Sequence, residues 1–161
     1  MRALILSDSH GDEFNLRWML EQVWKYTGPI DHYIHLGDGA ADFMLLENFI
    51  RTRDLMSIRT GVAGNCDFGM YDLPKAQVIP FGKQQLFLTH GHLYHVKDYL
   101  AELEDAAHER GCGIALYGHT HRQKIDEGRV LMVNPGCARS GECAILEEDR
   151  NGQPKVKLIQ M

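Results

Sequence analysis

Four cysteines in 161 residues, none in a CxxC pair, give no framework for a disulfide-stapled fold and no thiolate-only zinc site. No apolar run approaches the ~18 residues of a membrane span, which excludes a helical membrane segment. Basic residues are also in the minority: 17 Lys and Arg against 22 Asp and Glu, for a net charge of −5. A broad nucleic-acid-binding face is therefore not expected, and nucleic acid enters at most as a small nucleotide substrate. Bound dications would reverse that field locally. The opening run Ala3–Leu6 is shorter than the apolar core of a signal peptide and meets polar residues at once. With the reduced thiols this points to a cytoplasmic protein with no membrane partner. Internal repeats, linkers and low-complexity tracts are missing as well.

What is present is ordinary in bulk, at 44% hydrophobic and 24% charged residues. The length suits one domain, residues 1–161, able to bury roughly 70% of the surface its unfolded chain exposes. Arg2–Leu6 reads as a buried first strand. A helix over about Asn15–Tyr26 follows, with Leu16, Met19, Leu20, Val23 and Trp24 on one face. Asp31–Leu36 is a second strand, Ala41–Thr52 a second helix and Ser57–Val62 a third strand. This alternation predicts parallel strands with crossover helices. Beyond Asp67 the rhythm changes. Gln77–Phe81 and Gln85–Thr89 flank a hairpin turn, and a third helix spans about Val96–Glu109, closed by Gly111 and Gly113. Ile114–Tyr117 is another buried strand. The tail reads as strands only: Gln123–Asp126, Arg129–Val133, Glu142–Glu147 and Lys155–Ile159. The expected class is α/β, two mixed sheets face to face with helices outside.

Five short segments stand out: SDSHG at Ser7–Gly11, HLGD at His35–Asp38, GNCD at Gly64–Asp67, HGH at His90–His92 and GHTH at Gly118–His121. Each ends or follows a predicted strand. In an open α/β sheet, ligands bind at the carboxyl ends of the strands, so residues from 8 to 121 can meet in one pocket. Asp8, His10, Asp38, Asn65, His90, His119 and His121 are metal-type donors. Carboxylates, imidazoles and one amide oxygen are what two adjacent divalent cations require, and such a pair activates water and clamps a phosphoryl group. Mixed oxygen and nitrogen ligation suits Mn, Ni, Zn, Fe or Co better than Mg or Ca. Any one motif alone is weak, because a histidine at a strand end is ordinarily a hydrogen-bonded loop residue. Five in one chain, all at strand ends, make coincidence a poor account.

On these motifs, together with NPGC at Asn134–Cys137, the chain closely resembles the calcineurin-like metallophosphoesterase superfamily, in particular its small YfcE-like phosphodiesterases. The resemblance runs over essentially the whole length. It implies a four-layer αββα sandwich around a dinuclear site, with Mn the first expectation. It further implies that Asp8, His10 and His121 hold one metal and Asn65, His90 and His119 the other, with Asp38 bridging. The implied activity is hydrolysis of a small phosphodiester by a hydroxide held between the metals. Phosphomonoester hydrolysis is the alternative within enzymes. A protein-binding scaffold like the retromer subunit of this fold is the alternative outside them. A homodimer or higher oligomer is left open.

One position departs from the common pattern. Where many superfamily members carry GNHD or GNHE, this chain has Cys66, and a thiol is a poor substitute for an imidazolium as proton donor. GNCD is familiar in the YfcE-like group, so Cys66 is placed in the catalytic set with Asp38 and Asn65. His92, two residues past His90, is the nearest candidate by sequence for the missing acid. Asp67 is expected to orient a neighbour, and Asn134–Cys137 to form a turn near the site. Arg122 is expected to be an exposed strand residue, His35 to lie in the core, and His32, His95 and His108 in solvent.

Overall fold

The computed structural model describes residues 1–161. Its elements are β1 (Arg2–Leu6), α1 (Glu13–Tyr26), β2 (His32–His35), α2 (Ala40–Leu45), α3 (Glu47–Arg53), β3 (Ile58–Gly61), β4 (Ala76–Phe81) and β5 (Gln84–Thr89). They continue with α4 (Ala101–Glu109), β6 (Ile114–Leu116), β7 (Gln123–Glu127), β8 (Leu131–Pro135), β9 (Glu142–Glu148) and β10 (Pro154–Gln160). The strands form two five-stranded mixed sheets, ordered β10-β9-β1-β2-β3 and β4-β5-β6-β8-β7. In the first, β1, β2 and β3 run parallel, with Leu4 opposite Tyr33 and Ile34 opposite Thr60. In the second, β5, β6 and β8 run parallel. The edge hairpins β9–β10, β4–β5 and β7–β8 are antiparallel.

Side-chain alternation along each strand builds the layers. On β1, Ala3 and Ile5 point inward with Ile34, Leu36 and Val62, meeting Leu86, Leu88, Ile114, Leu116 and Val133 of the other sheet. Leu4 and Leu6 point outward into Leu16, Met19, Leu20 and Val23 of α1 and Phe43 and Ile50 of α2 and α3. On the far side Phe87, Ala115 and Tyr117 pack against Leu103 and Ala107 of α4. The result is the expected αββα sandwich. Helix α1 starts where Asp12 Oδ1 accepts from the Asn15 backbone N–H at 3.0 Å, a side-chain cap.

The structure departs from the sequence reading in three places. The helix expected over 41–52 is broken at Leu46, whose backbone (φ −85°, ψ 3°) leaves helical geometry. Phe43, Leu46 and Ile50 keep helical spacing through the break and reach one cluster, so periodicity could not reveal it. The third helix begins at Ala101 rather than Val96, because His95 is left-handed at φ 49° and a helix cannot propagate through it. A 3₁₀ turn over His92–Tyr94 occupies the preceding residues. His32, expected in solvent, is buried edge-on against Phe81 with ring centroids 5.5 Å apart.

Ile34 lies at the centre of the inter-sheet layer and is fully buried. Ile34→Ala should lower unfolding free energy by about 2–5 kcal/mol in urea titrations, the range for truncating a buried aliphatic chain. A loss below ~1 kcal/mol would contradict this placement.

Candidate metal centre

The loops that leave β1, β2, β3, β5 and β6 converge, because parallel strands with crossovers put successive carboxyl ends on one edge of the sandwich. The Gly118 N–H donates to the His90 carbonyl at 3.1 Å, and the His10 N–H to the Asp38 carbonyl at 2.9 Å. Six non-glycine residues have positive φ, and five of them are Asp8, His10, Asp38, His119 and His121. Left-handed backbone at a residue with a Cβ is disfavoured, and such strain gathers at functional sites. Two glycines make room for these loops. A Cβ at Gly64 would strike the Asp38 carboxylate and backbone nitrogen, and one at Gly118 would strike Ser7 Oγ and Asp8.

The donors fall into groups whose ligand atoms all lie within 4.8 Å of one another. One is Asp8, His10 and His121; another is Asp38, His90 and His119. A third, His10, Asp38 and Cys66, joins the first two through shared members. Asp38 belongs to the second and third groups, and His10 to the first and third. Asn65 lies in the exposed turn after β3, and its side-chain N–H donates to Cys66 Sγ at 3.2 Å.

Charge in this cluster is unbalanced. Asp8 and Asp38 are buried, yet no lysine or arginine pairs with either; their ionic neighbours are histidines. Asp8 Oδ1 lies 3.0 Å from His121 Nε2, 3.7 Å from His10 Nε2 and 4.0 Å from His90 Nε2. His90 donates its Nδ1–H to the Leu36 carbonyl at 2.8 Å, which leaves Nε2 facing the Asp38 carboxylate at 3.3 Å. Neither Asp8 Oδ1 nor His90 Nε2 makes a hydrogen bond, although both are buried. His10 Nε2 and His121 Nε2 face each other at 3.1 Å. Buried polar atoms without a partner are costly, and a divalent cation would satisfy Asp8 Oδ1 and His90 Nε2. The residues fit such an ion.

Titration behaviour follows the same geometry. Burial alone would raise the Asp38 carboxyl, but His90 and the Cys66 N–H, donating at 2.7 Å, hold it well below the ordinary range. His119 is pushed down to about 4 by burial and then by neighbouring His90 and Lys97, so it is neutral and free to ligate. Burial opposes the charged form of His90 too, yet Asp38 and Asp8 carry its pKa above the usual value.

Several supporting residues were invisible or only half visible in the sequence. Asp67 accepts four backbone N–H groups, from Gly64, Asp38, Gly39 and Ala40, at 2.7–2.9 Å. It ties the β2 and β3 loops into one unit. Asp42 does the same for the β1 loop, accepting from Ser9 Oγ at 2.7 Å and the Gly11 N–H at 2.8 Å. His35, in the core as expected, accepts from the Gly37 N–H at Nδ1, which directs its Nε2–H to Ser9 Oγ at 3.3 Å. Ser7 Oγ donates to Asp8 Oδ2 at 2.6 Å. Asn134 donates to the Gly118 carbonyl and Thr120 Oγ1, backing the GHTH loop, and Cys137 Sγ donates to the Asp8 carbonyl. Asp42 and Ser7 carry no signal beyond adjacency to a motif.

His92 is half-buried, with its ring 5.5 Å from that of His90 and 6.1 Å from that of His119. Its Nδ1 is buried without a partner, and burial followed by His90 lowers its pKa. Cys66 is exposed, and its thiol is held above the usual value, first by the Asp38 carboxylate beside it. Arg122 is exposed.

The profile of the calcineurin-like phosphoesterase superfamily domain matches residues 1–150. The chain belongs to that superfamily. It is 32% identical over 142 residues to the probable metallophosphoesterase YsnB of Bacillus subtilis, covering 86% of this chain and 76% of that one. It is 33% identical over 84 residues to the phosphodiesterase YfcE of Escherichia coli, 47% of this chain and 41% of that one. A predicted phosphoesterase from Streptococcus pneumoniae superposes with a TM-score of 0.73 at 27% identity, over 99% of this chain and 88% of that one. Vps29 from Entamoeba histolytica, solved with zinc, shares the fold at TM-score 0.72 and 21% identity, over 99% of both chains.

Burial alone would raise the Asp67 carboxyl, but its four N–H donors outweigh burial and hold its pKa below the ordinary value. The folded metal-free chain therefore keeps Asp67 ionised where the unfolded chain is protonated. Its contribution is complete above a pH of about 4 and is lost as pH falls through the depressed value. Asp67→Asn should destabilise the metal-free protein by about 1.5–3 kcal/mol at neutral pH in urea titrations. The gap to the wild type should narrow below a pH of about 4. A gap that stays constant down to pH ~3 would contradict the assignment.

Proposed function

We propose that the protein is a phosphodiesterase that works with two divalent cations, within the metallophosphoesterase function its family supports. The observation carrying this is the cluster of oxygen and nitrogen donors around buried Asp8, Asp38 and His90 that has no lysine or arginine partner. Asp8, His10 and His121 would hold one cation, and His90, His119 and the Asn65 amide oxygen the other, with Asp38 shared. Mn is the first expectation, with Ni, Zn, Fe and Co as alternatives. Two such ions supply an activated water nucleophile and positive charge for the phosphoryl oxygens.

The chain's own residues fix that arrangement. The Leu36 carbonyl orients His90, and the Cys66 N–H orients Asp38. Asp67 and Asp42 prevent the loops from parting when the carboxylates repel. The proton for the departing alcohol is the weak step. Cys66 stands within 4.8 Å of His10 and Asp38 but is a poorer acid than a free thiol. His92 is neutral near pH 7 and has to gain a proton before it can give one. Diesters of good leaving groups are therefore favoured.

The fold likeness to Vps29 supports a second reading, a protein-binding scaffold with a residual metal site. The full histidine complement at positions 10, 90, 119 and 121 favours catalysis.

Chelator-stripped protein should hydrolyse bis(p-nitrophenyl) phosphate at background rate, and Mn or Ni should restore turnover better than Ca. Undiminished turnover after exhaustive chelation would overturn the proposal. A panel of monoesters assayed alongside decides between diester and monoester.

Rate should also fall steeply as leaving-group pKa rises. Cys66→His should flatten that slope and gain about tenfold or more on alkyl esters, since general acid catalysis is worth ~10²–10⁴-fold. His92→Ala should steepen it, with metal content intact, if His92 already supplies the proton. An unaltered slope in both variants would remove both residues from the acid role.

A further inference from the structure

Phe68 follows the GNCD segment directly and is 89% exposed. Leaving a phenylalanine in water forgoes much of the stabilisation its burial would bring. The backbone at this position is fixed. Its neighbour Asp67 is held by four N–H donors, and the Phe68 N–H donates to the Cys66 carbonyl at 3.0 Å. Phe68 lines an open cleft of about 360 Å³ together with His10, Asp38 and Cys66. Met70 and Ala41 add apolar surface to the same cleft. A larger groove of about 560 Å³ runs along β10 but contains none of the metal-type donors.

The cleft thus joins a phosphoryl-binding chemistry at its floor to a flat, uncharged aromatic wall beside it. A planar ring stacks on such a wall and gains more than a methyl arm can. We infer that Phe68 is a specificity-determining residue that stacks an aromatic ring carried by the phosphoester, so that the substrate class is aryl or nucleoside phosphodiesters rather than dialkyl ones. This rests on the phosphodiesterase reading above.

The ring could be a nucleobase or a phenolic aryl group; the shared chemistry is a planar π face. Calorimetric titration of the Mn-loaded chain with methyl phosphate, phenyl phosphate and thymidine 5′-monophosphate separates these sources without requiring turnover. Phenyl phosphate, or the thymidine ester, should bind roughly five- to tenfold tighter than methyl phosphate, the lower part of the range for base–aromatic stacking. Phe68→Ala should erase that difference, and Phe68→Tyr or Phe68→Trp should restore it, with metal content equal in all variants. An advantage confined to thymidine monophosphate identifies a nucleoside, and one shared with phenyl phosphate identifies any aryl ring. Equal affinity for all three esters in the wild type, or an aromatic advantage that survives Phe68→Ala, would overturn the inference. Ring-dependent binding without turnover of any ester would keep the stacking role and remove the phosphodiesterase reading. Turnover without ring dependence would do the reverse.

Discussion

Two carboxylates buried at one edge of the sandwich, with imidazoles as their only ionic neighbours, set the terms for everything around them. Asp8 and Asp38 face His10, His90, His119 and His121 in the space where the two sheets' parallel strands end. Buried charge without a partner is among the most expensive things a fold can contain, and lysine or arginine is the usual remedy. Here neither approaches, and His90 Nε2 and Asp8 Oδ1 are left without hydrogen bonds. The rest of the local structure resists the repulsion this creates. Asp67 and Asp42 gather backbone N–H groups from the three loops after β1, β2 and β3, and Gly64 and Gly118 give the loops room to close.

That arrangement exacts backbone strain as well. Five donors sit in the left-handed region, each a conformation that L residues avoid by about a kcal/mol or more. Only a rigid scaffold can hold so many at once. The parallel triplets β1-β2-β3 and β5-β6-β8, with β1, β2 and β6 buried on both faces, supply it. Stability invested in the inter-sheet layer around Ile5, Ile34 and Leu116 is thus connected to donor placement through short loops that leave directly from those strands. A fold of this kind concentrates chemistry at one edge and leaves its helices to cover the outer faces.

Much of this was legible in the residues. Apolar runs such as Ala3–Leu6 and Ile114–Leu116 are buried strands, and turn residues at Gly82 and Gly152 mark the hairpins. The donors were visible because each lies within a few residues of a strand end. What stayed hidden depends on backbone geometry that side-chain patterns do not encode. The break at Leu46 preserves helical spacing, so periodicity passes straight through it. The delayed start of α4 comes from left-handed His95, a residue with no sequence signature for that conformation. His32 looks polar and solvated in the sequence, yet the β2 register turns it onto Phe81. Asp42 and Ser7 act only by bonds to residues that the fold brings near, and Phe68 gains significance only from the cleft it borders.

The central claim is that this anionic, histidine-rich edge is built around two cations that share Asp38. Calorimetric titration of the stripped wild-type chain with Mn, beside Asp38→Asn, tests it most directly. The account predicts two ions per wild-type chain and at most one, bound more weakly, in the variant. Failure of the wild type to bind Mn, Ni, Zn, Fe or Co, or two ions still bound in Asp38→Asn, would contradict it.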